Sequence, residues 1–282
     1  MEMFFDCLPC TLRQVLEAAR MATDDIHIQD KVMTESIQLL SHYKEYQSSP
    51  DICRAMHGIV KRYTGIDDPY KEVKKRDIQA AEQVYPLLKD FIESKGGELY
   101  WVLRTVAAGN VLDSALYQNV DISSSLKMEL MNPFAVADME HFVEKLQGAQ
   151  RLLVIGDNAG ETVFDRLLLE HLSYLECTYA VRSAPIINDA TMEDAYASSL
   201  GDHAKIITTG CAAPGAIIDE CSQEFLDVFY GADLVISKGM GNFEAMTNFK
   251  RGVFFLFKAK CPLISRKLEI KLNEYLFKYK EN

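Results

Sequence analysis

RLLVIGDNAGETVFDRLLLEHL, residues 151–172, decides the fold. An apolar run gives out on Gly156, Asp157 and Asn158, and a helical pattern takes over, with Val163, Phe164, Leu167, Leu168 and Leu172 on one stripe. A short β run, a polar turn and a helix are the opening half of a βαβ unit. Outward from it the pattern repeats. CTYAVR (177–182), AKIITTG (204–210), DLVIS (233–237) and VFFLFK (253–258) are further strand candidates, with helical stretches at MEDAYASS (192–199) and AIIDECSQEFLDVF (216–229) between them. Parallel neighbours need such crossovers, so the alternation predicts an α/β fold: a mostly parallel sheet with helices on both faces.

Upstream of residue 148 the chain has a different character. Leu12, Val15, Leu16 and Ala19 share a helical spacing, as do Leu99, Val102, Leu103, Val106 and Ala107, and β-branched clusters are few. The expected organisation is a helical domain at 1–147 and an α/β domain at 148–282. DDPYKEVKKRD (67–77), charged and interrupted by Pro69, is expected to be an exposed connection or a capped helix start within the first of these.

Composition excludes several classes of function. The 282 residues carry 41 acidic against 30 basic side chains, a formal charge of -11, the wrong sign for a phosphate-backbone partner. No apolar run approaches the ~18 residues of a membrane span, and Glu2 and Asp6 stand where a signal peptide is basic. No nucleic acid, no membrane and a cytoplasmic location are therefore expected. Seven cysteines, an odd and scattered set, do not read as a disulfide framework, and reduced thiols are expected. The oligomeric state has no signature in the sequence.

Four polar loops each follow a strand candidate: 154–161, IIND at 186–189, TTGCAAPG at 208–215 and SKGMGN at 237–242. In open α/β sheets ligands bind beyond the carboxyl ends of the strands, which is where all four fall. Asp157 and Asn158 offer a carboxylate and an amide carbonyl, and Asp189 a second carboxylate one strand later, with Asn188 beside it. Hard oxygen donors of this kind suit Mg or Mn, with Co or Ni also accepted. The same residues make a good turn and N-cap; the repetition of the Asn/Asp pairing after the next strand is what turn chemistry does not require. In SKGMGN, Lys238 is a point charge and Gly239 and Gly241, flanking Met240, let backbone N–H groups approach an anion. A tight turn before a helix explains those glycines equally well. Thr209 and Gly210 carry the same two readings, phosphate contact or helix cap. Asn110 and Asp113, in AAGNVLD, share a helical spacing and read either as a polar pair facing the site or as a helix break at Gly109. Cys7 and Cys10 lack the second pair that a tetrahedral zinc site needs, and the six histidines show no ligand spacing.

GDNAGE, INDAT, TTGCAAPG, SKGMGN, AAGNVLD and the opening CLPC, in that set and along nearly the whole chain, resemble the damage-control metal phosphatases, in the branch that carries a cysteine pair. The resemblance implies an N-terminal helical bundle packed on a Rossmann-like domain, with a divalent cation (Mg, Mn, Co or Ni) on Asp157, Asn158 and Asp189. It implies a phosphate loop at Gly239, Met240 and Gly241, and hydrolysis of a phosphomonoester of a small metabolite such as a damaged sugar phosphate, a nucleotide or a phosphopantetheine-like compound. Lys238 stands where other branches carry Glu, which loosens any transfer of their substrates. On this view Lys238, Thr209 and Gly210 hold phosphate oxygens, and Asn110, Asp113 and Asn188 reach the substrate. Two alternatives remain open: an S-adenosylmethionine-dependent carboxyl methyltransferase, and a non-catalytic phosphometabolite-binding protein.

Overall fold

The computed structural model describes residues 3–109, 122–246 and 249–281. Strands β1 (Phe134–Ala137), β2 (Arg151–Ile155), β3 (Glu176–Val181), β4 (Lys205–Thr208), β5 (Leu234–Lys238), β6 (Val253–Lys258) and β7 (Tyr275–Lys280) form one sheet in the order β1-β7-β6-β5-β2-β3-β4. From β6 to β4 all neighbours are parallel, whereas β7 is antiparallel to β6 and carries β1 alongside it. The five strand candidates are β2 to β6. β1 belongs to the sheet although it lies ahead of the change in pattern at residue 148.

Pleating sends alternate side chains of each strand to opposite faces. Leu152 and Val154 join the larger core with Phe142, Phe164 and Leu168, while Leu153 and Ile155 join a second core with Phe225, Phe229 and Phe255. Helices α5 (Leu99–Ala108), α7 (Met139–Leu146) and α8 (Glu161–His171) cover the first face, and α10 (Gln223–Gly231), α11 (Met240–Ala245) and α12 (Pro262–Lys267) the second. Each fully buried aliphatic or aromatic side chain in these layers contributes roughly 1.5–3 kcal/mol. α8 is buried from Glu161 to Leu169, because α5 and α4 (Lys71–Ser94) cover the side that the sheet does not.

A separate core unites α1 (Cys7–Ala22), α2 (Ile26–Leu40) and α3 (Ser49–Thr64), and α3 packs against α11 at the carboxyl edge of the sheet. The charged 67–77 segment starts α4, but Lys74 and Asp77 are buried there; the Lys74 ammonium lies 2.8 Å from both Asp68 and Asp194, the latter on α9 (Met192–Ala197). The stretch 216–229 is helical only from Gln223. Its first half is a loop and a single turn at Ile218–Glu220, and Ser222 caps the helix by accepting from the Phe225 N–H. Among the described residues no helix is long and apolar enough to cross a membrane.

Strand order positions the site. From β2 the chain winds outward through β3 and β4, then returns to the opposite side of β2 to lay down β5 and β6. The carboxyl ends of β2 and β5 therefore border the point where winding reverses, and their loops part to leave a crevice.

Candidate active site

Two loops are zipped together above β2 and β3. An isolated antiparallel bridge joins Asn158 to Asp189: the Ala159 N–H donates to the Asn188 carbonyl and the Ala190 N–H to the Asp157 carbonyl, each at 2.8 Å. These bonds bring Asp157, Asn158 and Asp189 to one place. β5 supplies the third side. Gly239 has φ +83°, and a Cβ built on it would lie 2.1 Å from the Asp157 carboxyl carbon, so glycine is required both by the backbone and by the close approach. A Cβ on Gly241 would meet the Pro214 carbonyl oxygen at 2.0 Å. Asn242, fully buried, ties these loops: its amide nitrogen donates to the Gly156 and Lys238 carbonyls and its oxygen accepts from the Ala216 N–H.

The electrostatics of the upper group favour a cation. Burial, then the neighbouring Glu161 and Asp189 carboxylates, push the Asp157 carboxyl well above its ordinary range, against the pull of Arg182 and Lys238. Asp189 is 3 % exposed and is also raised by burial, although one of its oxygens accepts from Arg182 Nε at 2.7 Å. Asn158 spends its amide nitrogen on Glu161 at 3.0 Å, which leaves its carbonyl oxygen as the donor toward the crevice. Two crowded carboxylates and a directed amide oxygen are a fitting donor set for a hard divalent ion.

Below this group lies a second one. Lys238 is 1 % exposed, and its ammonium lies 2.9 Å from Glu161 and 2.6 Å from Asp165, while the Tyr179 hydroxyl donates to Asp165 at 2.6 Å. Lys238, expected to hold phosphate oxygens, is thus turned beneath the loop and engaged by two carboxylates. Thr209 and Gly210 also differ from the phosphate-binding expectation. The Thr209 hydroxyl donates to the Cys211 carbonyl and accepts from the Cys211 N–H, and Gly210, at φ +77°, packs against the Ser222 backbone. Neither lines the crevice, and both serve the turn into the next loop. Asn110 and Asp113 lie outside the described residues. Glu161, Asp165, Arg182 and Asn242 were not singled out from sequence, although Glu161 and Asp165 stand four apart on one helix as two acids beside an apolar stripe.

The crevice holds about 490 Å³. Asp157, Asn158, Asn188, Asp189, Met240 and Gly241 line one end of it. Ile187, also on its wall, has φ +46°, a conformation costly for a β-branched residue, of order 1–3 kcal/mol, and found where the surroundings impose it. Cys7 and Cys10 at the start of α1, Cys53 on α3 and Cys261 before α12 reach the same space as free thiols.

Fold and site together define a Rossmann-like α/β protein with an oxygen-donor cluster and a glycine loop at its switch point. The model of the damage-control phosphatase ARMT1-like domain matches residues 3–276, and the chain belongs to that family. It is 31% identical, over 96% of its length and 95% of the relative's, to the damage-control phosphatase of Pyrococcus horikoshii. Identity to a damage-control phosphatase of Archaeoglobus fulgidus is 30%, covering 98% of each chain. A crystal structure of a DUF89 family protein from P. horikoshii superposes with a TM-score of 0.89 over 98% of both chains.

Proposed function

We propose that this chain is a divalent-cation-dependent phosphatase acting on phosphomonoesters of small metabolites such as sugar phosphates, nucleotides or phosphopantetheine-like compounds. The observation that carries it is the Asn158–Asp189 bridge, which sets three oxygen donors from two loops beside the Gly239–Gly241 turn in one crevice. Relatives named damage-control phosphatases, matched over nearly the whole chain, support the phosphatase role.

Asp157, Asn158 and Asp189 would hold the ion, which when bound supplies positive charge against the phosphoryl oxygens as the P–O bond breaks. The chain's own groups do the rest. Arg182 holds one oxygen of Asp189 and so fixes the direction of the other. Lys238 acts through Glu161, which in turn orients Asn158; it is a positioning residue. The turn at Met240 and Gly241 lets backbone come close to a bound phosphate without a side chain intervening. Asn188, on the wall of the crevice, would touch the substrate.

The test is hydrolysis of an aryl phosphate by cation-stripped protein with Mg, Mn, Co or Ni restored singly. Turnover that needs the cation and vanishes in Asp157→Ala is expected. No turnover with any cation, together with binding of S-adenosylmethionine, would return the methyltransferase alternative.

A further inference from the structure

The crevice contains a carboxyl that the mechanism above leaves unused. Glu244 lies on α11 three residues after Gly241, close to one helical turn, and both residues line the space that holds Asp157, Asn158 and Asp189. Gly239 packs on the Asp157 carboxylate, and five residues of helix advance about 7.5 Å beyond it. Glu244 therefore shares the crevice with the donor cluster and follows the phosphate loop on the same helix, where a bound ester lies within its reach.

Its surroundings are unusual for a carboxyl. Cys7 and Cys10 of α1, Cys53 of α3 and Cys261 ahead of α12 share the crevice with it. Burial pushes the thiols of Cys7, Cys10 and Cys53 up, so they stand as uncharged groups at neutral pH. Besides Asp157 and Asp189, the charged side chains on the same walls are Asp6 from the α1 side and Lys258, Lys260 and Arg266 from the β6–α12 side; Lys258 is engaged by Glu129 at 2.9 Å. Burial lifts the Glu244 carboxyl to about 7. An ordinary glutamate, at about 4.3, holds almost no proton at neutral pH, whereas one near 7 holds it half the time and can give it up.

We propose that Glu244 is the general acid of the reaction, delivering its proton to the oxygen of the departing alcohol; this rests on the phosphatase function above. The bond from phosphorus to the ester oxygen breaks with its electron pair on that oxygen, which takes the Glu244 proton and leaves as a neutral alcohol. Water supplies the oxygen of the new P–O bond and gives one proton to the Glu244 carboxylate, restoring the acid. The net change is ester and water to alcohol and inorganic phosphate.

The role has a signature that a structural role lacks. An alkyl alcohol needs a proton to leave, whereas dinitrophenolate does not. In cation-loaded protein, Glu244→Gln should lower the ratio of kcat on glycerol phosphate to kcat on dinitrophenyl phosphate by about a hundredfold, the low end of what general acids contribute. Equal losses on both esters would overturn the proposal and leave the phosphatase intact. In cation-free protein carrying carboxyl-labelled glutamate, the carbon resonance of one side chain should titrate near neutrality and be missing in Glu244→Gln; titration of that resonance in the ordinary glutamate range would also overturn it. Should Glu244→Gln fail to fold, Glu244→Asp is read by the same ratio with the same two outcomes. Wild-type protein inert on both esters with every cation would instead remove the phosphatase function, and this proposal with it.

Discussion

Two groups of acids stack at the carboxyl ends of β2 and β5, and the fold treats them oppositely. In the lower one Glu161 and Asp165 close on the Lys238 ammonium, with Tyr179 donating to Asp165. Burial pulls the Lys238 pKa down, but the two carboxylates outweigh it and hold it above the ordinary value. In the upper one the Arg182 guanidinium bonds Asp189, Asp157 and Asp189 both line the crevice, and both carboxyls are raised. Each group sets two carboxylates against one cation, and burial raises Asp165 in the lower group as well; the difference is that both lower acids are bonded to their cation and closed off, whereas the upper pair lines an open crevice where a further cation can reach it.

The contrast breaks most sharply at Lys238. Lys238→Met should cost about 3–5 kcal/mol, because Glu161 and Asp165 are then left facing each other without their cation. Urea unfolding measures it; a loss under 1 kcal/mol would mean the lower group is not balanced by that lysine. Gly239→Ala drives a methyl into the Asp157 carboxylate at a positive φ. A displacement of about 1 Å in a reacting group costs on the order of a hundredfold in turnover, which is the fall expected with the fold retained by circular dichroism.

Asp157→Asn sharpens the comparison through pH. A carboxyl whose folded pKa lies above its unfolded value, about 3.9, contributes stability that is whole below the unfolded value and is lost as pH rises through the folded one. Cation-free wild type should accordingly lose stability as pH rises above about 4, and Asp157→Asn should lose less and be the more stable once the Asp157 carboxyl is ionised. Added cation should reverse that order, since an ion at a hundred times its Kd stabilises by about 2.7 kcal/mol and the variant forgoes most of this. The smallest effect is expected at Thr209→Val, about 1 kcal/mol for a turn hydrogen bond, with KM for a phosphate ester within twofold of wild type. A large rise in KM there would restore Thr209 as a phosphate contact.

Much of this arrangement was legible in the sequence, and the parts that were not have physical causes. RLLVIG, CTYAVR, AKIITTG, DLVIS and VFFLFK are strands because each is a short apolar run ending on a turn signal, the form a doubly covered strand takes. Phe134–Ala137 is a short run on the helical side of residue 148 and Tyr275–Lys280 ends in lysine and tyrosine, so neither has that form, and only their pairing, β1 parallel to β7 and β7 antiparallel to β6, makes them strands. The cluster of Asp157, Asn158 and Asp189 could be anticipated from the repeated Asn/Asp pairing; the bridge that joins the loops is a backbone matter. Lys238 misled because a lysine beside glycines offers no sign of its direction. Its direction is set by Glu161 and Asp165 across the sheet, more than 70 residues away in the chain. The thiols of Cys7, Cys10, Cys53 and Cys261 come together only through the packing of α3 against α11 and of α1 against α3.

The measurement that bears most directly on the upper group is calorimetric binding of manganese to cation-stripped wild-type protein and to Asp157→Asn and Asp189→Asn. A single ion per chain in the wild type, weakened a hundredfold or lost in both variants, is the expected result. Equal affinity in all three proteins would contradict the assignment of Asp157 and Asp189 as the residues that hold the ion.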